Sequence, residues 1–238
     1  MDNLKKSFKS LKWYEIIMIV IMIGIAGLSI YEAIVHPETS SNPLWLTIIN
    51  FISAICGVIC VFFCAKANIS NFVFATVNTI VYAIFLYYQK IYGTFALEVL
   101  FYLPVNFISW YIWAKHRDKK YVEKTKSKRL TLTQNIISTL AIIIGGIVYH
   151  YILVRIGGEV AWLDAFTLSI GIIAVILEML RYKEQYVWWI ITDVIAVAMY
   201  IMHFDPVYLT KKSIYLIMAV IGLINWTKLN KERNKNNE

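Results

Sequence analysis

Residues Asn71-Phe72-Val73-Phe74-Ala75-Thr76-Val77-Asn78 have a counterpart in Tyr186-Val187-Trp188-Trp189-Ile190-Ile191-Thr192-Asp193, about 115 positions downstream. Asn71, Phe74 and Asn78 stand at i, i+3 and i+7, and so do Tyr186, Trp189 and Asp193. Both stretches lie inside apolar runs, where this spacing puts the three side chains on one helix face. Further on, Tyr102-Leu103, Ser109, Trp113 and Lys115 align without a gap with Tyr215-Leu216, Gly222, Trp226 and Lys228. A membrane chain built from two copies of one helical unit reads as a transporter, with its site between the copies.

Composition supports the membrane reading. The 238 residues are 59% hydrophobic and 16% charged, with a mean hydropathy of +0.62, where soluble domains run near 45–50% apolar and about 25% charged. The apolar residues form runs of roughly 17–24, long enough for a hydrocarbon core about 30 Å thick. Eight spans are expected: 13–35, 44–65, 72–88, 94–114, 133–156, 163–180, 186–202 and 209–226. The first run is too long for a signal-peptide core.

The net charge of +8 lies beside the spans, at Lys5, Lys6, Lys9 and Lys12, at 115–129, and at 228–235. Lys66, Arg181 and Lys183 fall on the same side. The outer loops, 36–42, 89–93, 157–162 and 203–208, are poor in Lys and Arg, apart from Lys90 and from Arg155, Lys211 and Lys212 near span ends. This bias predicts both termini in the cytoplasm. It explains the basic residues without nucleic acid, for which no aromatic-interleaved basic surface appears.

The repeat groups the spans. Spans two to four form one unit and six to eight the other. Three is odd, so a lone fifth helix must intervene for the two units to run the same way, giving a 3+1+3 parallel repeat with the first helix outside it. Residues 1–42 then hold an N-terminal cytoplasmic segment and the extra helix. The first repeat occupies 43–114, the basic linker and linking helix 115–160, the second repeat 161–228, and a cytoplasmic tail 229–238. The Gly145-Gly146 pair suits close packing or a bend.

Polar groups in hydrocarbon need a partner or a role. Asp193 sits midway along its span, with Trp189 and Tyr186 one and two turns away. Together they read as an aromatic platform with a carboxylate; the alternative is a helix–helix hydrogen bond to Asn225 or Thr192. In the first repeat the stripe is Asn71, Phe74, Asn78 and Tyr82. Glu98, Tyr102, Asn106 and Trp110 follow at four-residue steps on one drifting face. Glu98 aligns with Lys211, so an ion pair with Lys211 or Lys90 stands beside a site role. For Glu178 a local ion pair with Arg181 is favoured over a site role. Cys56, Cys60 and Cys64 share a face and read as packing residues, as does His150. Neither metal-ligand spacing nor a nucleophile–base pair, P-loop or dinucleotide turn appears. No enzyme and no cofactor are expected. The pocket suits a flat heterocycle bearing hydroxyls or a positive charge.

The stretches Cys60-Val61 to Ala65-Lys66, Asn68-Ile69-Ser70-Asn71, Tyr92-Gly93, Phe101-Tyr102-Leu103-Pro104, Trp110-Tyr111-Ile112-Trp113 and Glu184-Gln185-Tyr186 to Trp189 resemble the PnuC family of vitamin transporters. The resemblance covers roughly residues 45–228. It implies a SWEET-like, all-α fold in a bacterial inner membrane and facilitated diffusion of nicotinamide riboside, trapped inside by a cytoplasmic kinase. It also implies a homotrimer as a candidate assembly. Nicotinamide riboside carriers of the family show Trp-x-x-Trp-x-x-x-Asn where this chain has Tyr186, Trp189 and Asp193. Those two changes leave thiamine, riboflavin, deoxynucleosides and proton-coupled symport open. The expected substrate-binding set is Trp189, Asp193, Tyr186, Phe74, Asn78, Glu98, Asn106 and Tyr102.

Overall fold

A computed structural model describes residues 7–38, 40, 42–117, 124–155, 162–202 and 204–235. Lys5, Lys6, the linker stretch 118–123, residues 157–161 of the expected outer loop, His203 and the tail beyond 235 lie outside the described residues. The described chain is helical, with isolated β-bridges as its only strand-like pairing. In order come α1 (Trp13–Val35), α2 (Leu44–Ala65), α3 (Asn71–Tyr88) and α4 (Tyr92–Lys115). Then follow α5 (Leu132–Arg155), α6 (Trp162–Met179), α7 (Gln185–Met202) and α8 (Pro206–Lys235). Seven of these are long and apolar enough to cross a membrane, and the apolar part of α6, Ala165–Met179, is shorter.

Outward-facing Ile and Val residues are common, as in Ile16 and Val20 of α1 and Ile136, Ile137 and Ile144 of α5. In water such a surface would drive aggregation; in a bilayer it is the solvated face. The helices pack in sequence order, α2 on α3, α3 on α4, α5 on α6, α6 on α7 and α7 on α8. Three contacts cross between distant segments, α2 with α8, α1 with α8 and α4 with α6. The Gly145-Gly146 pair acts in packing. A Cβ at Gly145 would fall 2.6 Å from Ser169 Oγ, and one at Gly146 would fall 2.7 Å from the Phe166 ring.

Two turns, α2–α3 and α6–α7, are built alike. Ala67 and Arg181 both take a left-handed conformation, with φ of 56° and 67°. Asn68 N–H donates to Phe63 O at 2.9 Å and Tyr182 N–H to Leu177 O at 2.8 Å. Ala67 N–H donates to Cys64 O and Arg181 N–H to Glu178 O. This is the Schellman ending, here adopted without glycine. The linker ties the two turns together: Thr125 N–H donates to Ala67 O, Lys128 N–H to Arg181 O, and Lys183 N–H to Lys128 O.

The same correspondence runs through two buried indoles. Trp113 Nε1 on α4 donates to Glu178 O on α6 at 2.9 Å, and Trp226 Nε1 on α8 donates to Cys64 O on α2 at 3.0 Å. Their rings lie 5.4 Å apart. Phe72 packs edge-on against Trp113 and Tyr186 against Trp226. Helix α4 carries one irregularity, a π-turn over Glu98–Tyr102 in which Leu103 N–H reaches back to Glu98 O. Pro104 follows and has no N–H to give, which favours a widened turn here.

Helix α1 is held at its first turn. Lys66 Nζ pairs with Glu15, whose side chain is buried, and also donates to Ser10 O at 2.8 Å. Burial holds the Lys66 ammonium below the ordinary lysine value, and Glu15 pulls the other way. Higher up, Met22 and Ala26 pack with Ala54 and Val58 of α2 and Met218 of α8.

Candidate functional site

A cavity of about 360 Å³ lies between α2, α3, α4, α6, α7 and α8. It takes in most of the expected site: Tyr186, Trp189, Asp193, Asn78, Glu98, Tyr102 and Asn106 all line it. Phe74 does not. Its ring packs between Phe63, at 5.6 Å, and Phe8, at 5.8 Å. On α3 the lining residues are Phe72, Ala75, Asn78, Thr79 and Tyr82, a face that Phe74 does not share. Asn71 is fully buried off the cavity, and its amide has no hydrogen-bond partner among the described residues.

At the α2 C-terminal end of the cavity stand Cys64, Glu178, Tyr186 and Trp189. The Tyr186 hydroxyl donates to Cys64 O at 2.9 Å. Glu178 accepts from Cys64 Sγ at 3.4 Å and from the Trp189 indole. The expected Glu178–Arg181 ion pair does not form. Arg181 lies beyond the helix end in its left-handed turn, and its guanidinium donates to Lys126 O at 3.1 Å. Glu178 therefore belongs to the cavity. Its signal in the sequence is a carboxylate one turn inside the end of an apolar run.

Midway along, Asp193 accepts from Lys212 Nζ at 3.0 Å, and the two side chains are 3% and 28% exposed. Asn225 and Thr192, the partners considered from sequence, donate instead to Ala65 O and Trp189 O. Ser53 Oγ donates to Asn78 Oδ1 at 2.9 Å. Asn106 Nδ2 donates to Thr79 Oγ1 at 3.2 Å, and Thr79 is hydrogen-bonded to Glu98.

The α8 N-terminal end is aromatic and cationic. Lys211 Nζ lies 5.5 Å from the Tyr82 ring centre, 6.0 Å from Tyr208 and 5.8 Å from Tyr215. Tyr200 stacks on Tyr208 at 5.4 Å. Lys211 and Glu98 both line the cavity but make no direct ion pair. Gly57 makes room on the opposite wall, where a Cβ would fall 2.2 Å from the Tyr215 hydroxyl. No group of three or more His, Cys, Asp and Glu able to hold a metal is present among the described residues.

A cavity of this size, walled by aromatics with a few polar groups, has the dimensions of a small-molecule site. The protein family described as nicotinamide mononucleotide transporter matches residues 47–228. The chain belongs to this family. It is therefore a multi-pass membrane transporter and not an enzyme, as the sequence resemblance implied. A protein of Neisseria mucosa named nicotinamide riboside transporter PnuC is 33% identical over 187 residues, covering 75% of this chain and 71% of that one. The Haemophilus influenzae protein of the same name is 29% identical over 191 residues, covering 80% of this chain and 82% of its own. The crystal structure of a vitamin B3 transporter PnuC superposes with a TM-score of 0.76 at 29% identity, over 98% of each chain.

Proposed function

We propose that this transporter takes up nicotinamide riboside by facilitated diffusion, alternating the access of one cavity between the two sides of a bacterial inner membrane. The observation that carries the proposal is the cavity itself: Trp189 offers a face for a flat ring, and Asp193, Asn78 and Asn106 offer hydrogen bonds for a sugar. The relatives' printed substrate fits that lining. Between riboside and mononucleotide, the charge balance favours the riboside. Three carboxylates, Glu98, Glu178 and Asp193, face two ammoniums, Lys211 and Lys212, which suits a cation better than a phosphate.

The moving parts in this reading are two three-helix units, α2–α4 and α6–α8, joined by α5, with α1 outside them. Supporting it are the paired Schellman turns and the reciprocal indole bonds, which relate positions such as Cys64 and Glu178, 114 apart in sequence. With that separation Phe72 corresponds to Tyr186, Thr79 to Asp193 and Glu98 to Lys212. After the π-turn the separation falls by one, so Tyr102 corresponds to Tyr215 and Trp113 to Trp226. One extra residue in α4 would be absorbed by such a turn. Both termini are placed in the cytoplasm by the distribution of Lys and Arg, and a cytoplasmic kinase would trap the product.

The test is uptake by proteoliposomes under a substrate gradient alone, with and without an imposed pH gradient. Labelled nicotinamide riboside should enter at a rate that ignores the pH gradient. The mononucleotide, thiamine, riboflavin and deoxynucleosides should compete poorly. Entry of one of these in place of the riboside would overturn the substrate assignment.

A further inference from the structure

The three cavity carboxylates differ in how their charge is answered. Asp193 has the Lys212 ammonium at 3.0 Å. Glu98 shares its end of the cavity with Lys211 and is hydrogen-bonded by Thr79. Glu178 has only neutral donors, the Cys64 thiol and the Trp189 indole. Among the described residues no Lys or Arg nitrogen forms an ion pair with it. A carboxylate in a low-dielectric setting without a cation is costly, and such groups mark binding sites for one.

From this geometry we infer that Glu178 is the counter-ion for the fixed positive charge of the substrate ring and makes the transporter prefer the cation over its uncharged form. The inference rests on the riboside reading and deepens it. Nicotinamide riboside carries a permanent charge on its pyridinium ring. The Glu178 carboxylate holds the edge of the Trp189 indole, so a ring stacked on that indole lies beside the carboxylate. Cation–π attraction and ion pairing then act on the same ring. The rest of the cavity has no such unanswered carboxylate, because Asp193 is paired with Lys212 and Glu98 shares its end with Lys211. The ring therefore points toward Glu178 and the ribose toward the Tyr82, Tyr208 and Tyr215 hydroxyls. Asp193, the carboxylate expected in the site from sequence, already has its charge met by Lys212.

The test compares nicotinamide riboside with its reduced dihydropyridine, which keeps the ribose and carboxamide but carries no charge. Uptake is measured in proteoliposomes with the membrane potential clamped at zero, for the parent chain and for Glu178→Gln. The parent should favour the cation at least tenfold. Glu178→Gln should lose that preference while still carrying the uncharged compound. An unchanged ratio in Glu178→Gln overturns the inference. The parent chain also tests it without any variant: equal affinity for the two compounds, read by quenching of tryptophan fluorescence, overturns it alone. Uptake of neither compound by the parent overturns the riboside reading and the inference with it.

Discussion

Helices α2–α4 and α6–α8 share a scaffold and differ in their lining. The shared positions are structural: the left-handed residues Ala67 and Arg181, the indoles Trp113 and Trp226, and the rings Phe72 and Tyr186 packed on those indoles. The differing positions face the cavity. Where α2 has Cys64, α6 has Glu178; where α3 has Ala75 and Thr79, α7 has Trp189 and Asp193; where α4 has Glu98, α8 has Lys212. The substrate proposed here has a charged ring at one end and a sugar at the other, so it cannot satisfy two equivalent halves. In the mechanism proposed here, matched turns would let the two units move alike, and a differing lining would give the ligand one orientation. Divergence at the lining and conservation of form at the turns are therefore the expected division of labour.

The most direct test of this contrast is Trp189→Ala. It makes the α7 position like Ala75 on α3, and a lost cation–π and stacking contact of about 2 kcal/mol corresponds to roughly 30-fold weaker binding. Uptake should fall at least that far while thermal unfolding in detergent stays close to the parent. Next comes the Asp193–Lys212 pair. Lys212→Met leaves a carboxylate that is 3% exposed without its cation, a change that costs about 3 kcal/mol in buried pairs. Asp193→Asn should keep the fold and alter affinity or substrate range, and the double variant should recover most of the stability lost by Lys212→Met. A double variant no more stable than Lys212→Met would mean that the pair is not coupled. The scaffold predicts the opposite pattern, equal effects on the two sides. Trp113→Phe and Trp226→Phe each remove one indole hydrogen bond from a carbonyl that keeps its turn N–H donor, a loss of about 1 kcal/mol, and should lower the unfolding temperature by similar amounts.

The helices were legible because long apolar runs leave few alternatives in a bilayer. The two segments were paired from side-chain likeness, and the turns pair them one residue differently. Side-chain likeness pairs Asn78 with Asp193, whereas the turns pair Thr79 with Asp193 and Asn71 with Gln185. That single step explains why Phe74 was expected in the cavity: on a helix it rotates the chosen face by about 100°, toward Phe63 and Phe8. Pro104 is the local hint of the π-turn that shifts the register again at α4. Glu178 was misread for a different reason. Arg181 is three residues away and on an unbroken helix would sit beside it, but the left-handed turn sends it to the linker. Lys212 was read as a span-end charge because its partner, Asp193, lies on another helix.

The last contrast is at Gly222, where the two halves differ by one hydroxymethyl group. Its counterpart on α4 is Ser109, beside Phe72, which has no hydroxyl. Tyr186 does, and the bond from that hydroxyl to Cys64 O at 2.9 Å holds the ring in place. A Cβ added at Gly222 would fall 2.4 Å from Tyr186 Cε1. Gly222→Ala must therefore move the ring, and overpacking of this kind costs about 1–3 kcal/mol. Removing the hydroxyl should release the constraint, because a ring without that hydrogen bond is free to shift. Thermal unfolding should then place Tyr186→Phe with Gly222→Ala closer to the parent than Gly222→Ala alone. If the double variant is instead the less stable of the two, the hydroxyl does not set the ring position, and the absence of a Cβ at Gly222 needs another cause.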